Sequence, residues 1–81
     1  MAFYRYTAYQ QGLGHASGIV SARSEAEAKT VLEYELGKGG HTAIEISLYP
    51  IWHGRGITKR MRQQAVEAEG PCLITYSMRH Y

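Results

Sequence analysis

Residues 24–28 (SEAEA) constrain the fold most, because they predict where a helix begins between two stretches with the composition of β-strands. In a capping box, the Ser24 side chain accepts a hydrogen bond from the Glu27 amide, and the Glu27 side chain accepts one from the Ser24 amide. Gly37 is a natural stop for this helix. Apolar residues recur between these limits at helical spacing: Ala28, Val31, Leu32 and Leu36.

Alternating, β-favouring runs around this helix predict four strands: Phe3–Tyr9, Gly18–Ala22, Ala43–Leu48 and Cys72–Tyr76. The glycine-containing segment Gln10–Ser17 has no periodicity and predicts a long hairpin loop between the first two strands. In the third strand, Ile44, Ile46 and Leu48 are predicted to face the core together. Residues 78–81 are predicted to trail off from the last strand.

The segment Thr58–Glu69 has two interpretations. It consists of good helix formers and Thr58 can cap it, which favours a helix. Its bases lie at the start and its acids at the end, against the helix dipole, so a hairpin of Gln63–Ala68 with Cys72–Ser77 is the alternative. The predicted fold is therefore α+β, one domain over residues 1–81, in the order β-β-α-β-(α or β)-β, with the Ser24-capped helix packed on an antiparallel sheet.

Length and composition limit the interactions that can stabilise this chain and indicate its cellular location. With 81 residues, a single core supplies only a few kcal/mol, and the lone Cys72 cannot form an intramolecular disulfide. A partner or a second copy of the chain could add stability, so a homodimer is one candidate state. No run approaches the roughly 20 apolar residues that span a bilayer, so we expect a cytoplasmic protein with no membrane partner.

The net charge of +2 is small, but the charges are segregated along the chain. Five of the seven acids lie between positions 25 and 45, whereas no acid lies between Glu45 and Glu67. This pattern predicts an acidic face and a basic face, although both could simply be solvated.

No motif predicts a catalytic reaction. The four histidines are not spaced like zinc ligands, and Cys72 begins a strand, where a buried inert thiol is usual. The glycines at 37–40 follow a helix instead of preceding one, so they do not form a phosphate loop. We therefore expect no enzyme activity, no catalytic residue, no cofactor and no metal site.

The stretch from Trp52 to Arg62 is the candidate binding site, because it combines an aromatic residue and bases on or beside a flexible loop. Arg forks bind carboxylates and phosphates, and Trp provides contact area at little entropic cost. The predicted partner-binding residues are Arg5, Trp52, His53, Arg55, Lys59, Arg60 and Arg62, with a secondary acidic face at Glu27 and Glu33. The alternative is that Trp52 belongs to the core and the bases are only solvated.

Two resemblances concern the hairpin and the first helix. The pattern Gly18-x-x-x-Ala22-x-Ser24-x-x-Glu27-Ala28 with Ile44-x-Ile46, together with residues 4–8 (YRYTA), resembles the N-terminal ββαβ unit of type II secretion and pilus F-type proteins over positions 4–48. Those proteins continue into membrane helices that this chain lacks, so their function is not carried over. The same helix start and short strand are similar to small phage-encoded type I anti-CRISPR proteins, which implies a small inhibitor that blocks a nucleoprotein complex.

The sequence thus predicts a non-enzymatic binding protein that docks on a protein or nucleoprotein complex, and the second resemblance implies a phage-type inhibitor or adaptor acting by occlusion. A nucleic-acid-binding module that uses the basic stretch 55–62 is the alternative, and a small enzyme is a third hypothesis.

Overall fold

The computed structural model describes residues 1–80, which form a four-stranded antiparallel sheet with two helices. The strands are β1 (Ala2–Gln10), β2 (Gly14–Ala22), β3 (Ala43–Pro50) and β4 (Cys72–His80), and the helices are α1 (Glu25–Gly37) and α2 (Lys59–Ala68). The order across the sheet is β3-β1-β2-β4. The predicted α+β class is confirmed, and the ambiguous segment after residue 58 is a helix.

The β1–β2 hairpin is tighter than the sequence predicts. The predicted loop Gln10–Ser17 is wrong, because β2 already begins at Gly14 and the turn closes with a 2.9 Å bond from the Leu13 amide to the Gln10 carbonyl. Gly14 lets β2 approach β4 closely, because a Cβ at this position would overlap the carbonyl oxygen of Arg79. Strand β4 likewise continues to His80 instead of trailing off after Tyr76, while Tyr81 lies outside the described residues.

A β-bulge interrupts the alternation of β3. Thr7 pairs with Ser47 and Tyr9 pairs with Ile44, so β3 holds one more residue than β1 between these pairs. Glu45 adopts a left-handed backbone with φ of 53° at this point. The prediction that Ile44 faces the core with Ile46 and Leu48 is therefore wrong for Ile44, which is 38% exposed beside Tyr9.

Helix α1 covers one face of the sheet and forms the core with it. Ala28, Leu32 and Leu36 pack against the strand face that carries Tyr6 and Val20. The C-terminal end of α1 is held by a side chain of β1, because Gln10 Nε2 donates a 2.7 Å hydrogen bond to the Leu36 carbonyl. The Tyr76 hydroxyl donates to Gln10 Oε1 at 2.7 Å and fixes the orientation of this amide.

The N-terminus of α1 follows the capping prediction in one bond and departs from it in the other. Ser24 Oγ accepts a hydrogen bond from the Glu27 amide at 3.2 Å. Glu27 Oε1 accepts a 2.8 Å bond from the amide of Arg23, not from that of Ser24. The Arg23 guanidinium also donates a hydrogen bond to Glu27. The Glu27 carboxylate therefore binds Arg23, the residue just before the Ser24 that a capping box predicts.

Ser24→Ala is expected to lower the free energy of unfolding by about 1 kcal/mol, because the Glu27 amide loses its acceptor at the helix start. The midpoint of urea unfolding, followed by circular dichroism, measures this loss. Ser17→Ala is the matched control, since Ser17 is exposed on a strand and caps no helix. Equal midpoints for the two variants would contradict a stabilising cap at Ser24.

Candidate functional site

The face of the sheet opposite α1, here called the open face, carries three rows of side chains that cross all four strands. Residues paired directly across antiparallel strands project from the same face, so the register defines the rows. The outer row contains Ile44, Tyr9, His15 and Arg79. The hydroxyl row contains Ser47, Thr7, Ser17 and Ser77. The inner row contains Tyr49, Arg5, Ile19 and Thr75.

The charged residues of the three rows are of one sign. Arg5 and Arg79 are exposed in the inner and outer rows, and none of the twelve row residues is acidic. Helix α2 covers the end of this face beyond the inner row, where Ser21 is fully buried and Arg62 lies over the Phe3 ring. The three rows are left without a covering helix in the described part of the chain.

The loop after β3 forms a wall at the end of the inner row. A short 3-10 turn, Trp52–Gly54, is closed by a bond from the Arg55 amide to the Trp52 carbonyl at 3.2 Å. His53 holds a left-handed backbone in this turn, with φ of 57°. Trp52 is 72% exposed, so the alternative that Trp52 belongs to the core is wrong.

An open groove of about 660 Å³ lies between this loop and the inner row. Its lining brings together four of the predicted partner-binding residues, which come from β1 and from the loop: Arg5, Trp52, His53 and Arg55. The remaining lining residues are Ile19, Pro50, Ile51 and Gly56. The groove therefore has apolar walls with two guanidinium groups and one imidazole, a composition suited to binding an anionic group.

The other predicted bases are placed differently. The guanidinium carbon of Arg62 lies 6.0 Å from the centre of the Phe3 ring, and the guanidinium packs against Gly54. Arg62 therefore contacts the loop but does not line the groove. Lys59 and Arg60 are exposed in the first turn of α2 and do not line the groove. The continuous basic stretch of the sequence is thus divided between two surfaces.

The predicted acidic face lies on α1, away from the open face. Glu27 is already paired with Arg23 at 2.7 Å. The hydrogen bond from the Arg23 side chain holds the pKa of the Glu27 carboxyl below its usual value, with the Arg23 backbone bond adding to the effect. Glu33 is exposed on the same helix, and Glu35 forms an ion pair with Lys38 at 3.2 Å. Two of these acids therefore have cationic partners within the chain.

Sequence reasoning missed three large side chains of the open face. The sequence patterns predict a loop for His15, a trailing end for Arg79 and a third strand that stops at Leu48, one residue before Tyr49. All three belong to strands, and the period-two pattern of residues 15–21 and 75–79 was the available signal. Gly12 and Gly14 suggest a loop at the start of β2. In β4, a bulge between Leu73 and Thr75, which pair with the adjacent residues Val20 and Ile19, interrupts the alternation.

Cys72, the one thiol of the chain, lies at the start of β4 and does not line the groove. Burial raises the pKa of the half-buried Cys72 thiol, which reduces the thiolate fraction. Within residues 1–80, no three His, Cys, Asp or Glu side chains are grouped as metal ligands would be. Neither described helix has the length and apolar character needed to cross a bilayer.

Comparison with protein-family models, curated proteins and solved structures found no match to this chain.

Proposed function

We propose that this chain is a non-enzymatic binding protein whose open face docks on an anionic surface of a nucleoprotein complex and blocks it, in the manner of a phage-type inhibitor. The observation that carries the proposal is the convergence of Arg5, Trp52, His53 and Arg55 on one groove without an acidic lining residue. Two distant parts of the sequence supply these side chains, so the surface depends on the fold.

The energetics of the groove support docking. Trp and Arg dominate the residues that contribute most to interface affinity, and an exposed Trp offers a large area to a partner. The left-handed backbone of His53 costs about 1–2 kcal/mol in a residue other than glycine. Strain of this kind is concentrated at functional sites, where the surrounding structure holds it.

The chemistry of the groove supports binding in preference to catalysis. Its lining offers one imidazole, but no thiol, hydroxyl or carboxylate that could act with it as a nucleophile or an orienting group. The one cysteine of the chain lies elsewhere, at the start of β4. We place the protein in the cytoplasm, where this thiol would stay reduced.

The alternative function, a nucleic-acid-binding module built on the basic stretch 55–62, has less support. Arg62 packs against Phe3 and Gly54, whereas Arg55 faces the groove, so the stretch does not present one continuous basic surface. By contrast, Arg5 and Arg79 lie on the open face, and Arg5 lines the same groove as Arg55.

The test is capture of a partner from parallel bacterial lysates with and without nuclease treatment, followed by affinity measurement with the purified partner. The double variant Arg5→Glu/Arg55→Glu is expected to lose at least about 30-fold in affinity, because two central cations become anions. The double variant Lys29→Glu/Lys38→Glu is the matched control, since it makes the same charge change on α1 and at the residue that follows it, outside the groove. Equal losses in both variants, or none in either, would contradict docking through the open face.

A further inference from the structure

We propose that the anionic component bound by the open face is single-stranded nucleic acid, with bases stacked on Trp52 and Tyr49 and phosphates held by Arg5, Arg55 and Arg79. This inference rests on the proposed function and names the chemistry of its partner.

The charge of the open face complements a phosphate backbone. Arg5 lies in the inner row beside the groove that also contains Arg55, and Arg79 lies in the outer row. The two rows are separated by four residues along β1, β2 and β4, or about 13 Å at the usual rise per residue, and by five residues along the bulged strand β3. Cations at both ends of three rows that contain no acidic residue are positioned to contact separate phosphates of one strand.

Two exposed aromatic rings accompany these cations. Trp52 is 72% exposed at the groove and Tyr49 is 48% exposed directly opposite Arg5 on β3. Base stacking on such rings contributes about 1–3 kcal/mol per base and tolerates any sequence. A base can enter this stack only when its face is free, so the rings favour an unpaired strand over a duplex.

The hydroxyl row lies between the two cationic rows. Thr7, Ser17 and Ser77 are exposed there, and each hydroxyl can donate a hydrogen bond to a phosphate oxygen. Because these side chains are small, they project less far from the sheet than the larger side chains of the two flanking rows. The strand would therefore pass over the small side chains between cations at either end.

An acidic polypeptide would meet the same cations but would gain no stacking on the two rings. The observations thus favour nucleic acid, and the acidic polypeptide becomes an outcome of the test.

The test measures fluorescence anisotropy with four labelled probes: an oligothymidylate, an oligouridylate, a DNA duplex of equal length and a polyglutamate peptide. We expect the two single-stranded probes to bind more tightly than the duplex and the peptide. With three phosphate contacts, the logarithm of the affinity for single strands should fall against the logarithm of salt concentration with a slope of about −2.

Two sets of variants separate stacking from charge. Trp52→Ala/Tyr49→Ala is expected to weaken single-strand binding by at least about 10-fold with an unchanged salt slope. Arg5→Ala/Arg55→Ala/Arg79→Ala is expected to bring the salt slope close to zero. Tyr34→Ala and Lys29→Ala are matched controls, because both residues are exposed on α1, and thermal melts verify that every variant is folded.

Several results would overturn this inference: polyglutamate binding as tightly as the single strands, no single-strand binding at low salt, or equal affinity of the aromatic double variant and Tyr34→Ala. The proposed function would survive each of these if the captured partner still depended on Arg5 and Arg55. Loss of that dependence, with intact single-strand binding, would contradict the proposed function instead.

Discussion

Gly18→Ala is expected to destabilise the protein by about 3 kcal/mol, at the upper end of the usual cost of overpacking. Strand β2 passes so close to β4 at this point that a Cβ on Gly18 would overlap the carbonyl oxygen of Thr75 and lie 2.9 Å from the Tyr6 hydroxyl. The same carbonyl accepts a 2.9 Å hydrogen bond from that hydroxyl, which is buried with the ring. Relief of the overlap would move β4 and break this bond.

Urea unfolding followed by circular dichroism measures this loss, with Gly37→Ala as the matched control. Gly37 is the last residue of α1 and has open space where a Cβ would lie, so its substitution is expected to be neutral or to stabilise by about 0.5–1 kcal/mol. Similar unfolding midpoints for the two variants would contradict the close approach of β2 and β4.

A double variant identifies which contact limits position 18. Tyr6→Phe removes the hydroxyl but leaves the Thr75 carbonyl in place, so Gly18→Ala/Tyr6→Phe is expected to remain as unstable as Gly18→Ala, or to be less stable. Burial also raises the pKa of the Tyr6 phenol well above its usual value, which further favours the protonated, hydrogen-bond-donating form over the phenolate. Recovery of wild-type stability in the double variant would show that the hydroxyl is the limiting contact.

Leu32→Ala is expected to cost about 3–4 kcal/mol, because Leu32 is fully buried at the centre of α1 and its truncation leaves a cavity against the sheet. A chain of 81 residues has a total stability of roughly 4–12 kcal/mol, so this variant loses a large part of it. Thermal and urea unfolding measure the loss. Val66→Ala on α2 is the control, since Val66 is 75% exposed and its truncation should change stability by less than about 0.5 kcal/mol. Equal midpoints for the two variants would contradict the packing of α1 on the sheet.

The first helix was predictable from local chemistry. Ser24 caps its start, Ala28, Leu32 and Leu36 form its buried stripe, and it ends at Gly37 as expected. Each of these signals acts between residues at most four apart, so no tertiary contact is needed to interpret them. The first strand was predictable for a related reason, since its alternation records which side chains are buried.

The segment after Thr58 shows where local signals conflict. Helix propensity and the Thr58 cap favoured α2, while the order of its charges opposed it. The helix forms because the dipole term is only about 0.3–1 kcal/mol at the surface and is screened by salt. Burial of Ala65 against the sheet adds a further contribution.

The candidate site was partly accessible to sequence reasoning. The loop with Trp52 and Arg55 could be recognised from its composition, but its neighbour Arg5 lies far away along the chain. The pairing of β1 with β3 brings Arg5 opposite Tyr49, just before that loop. Whether this side of the sheet stays exposed depends on which face α1 covers.

Local sequence thus encodes the elements whose signals span a single helical turn or a short alternating run. The tertiary structure decides the rest: the full length of β2, the bulge that turns Ile44 outward and the three rows of the open face. These features arise from pairing between strands that are distant in sequence, where glycine spacing and register matter more than the propensity of any one residue. The open face therefore exists only once all four strands are paired.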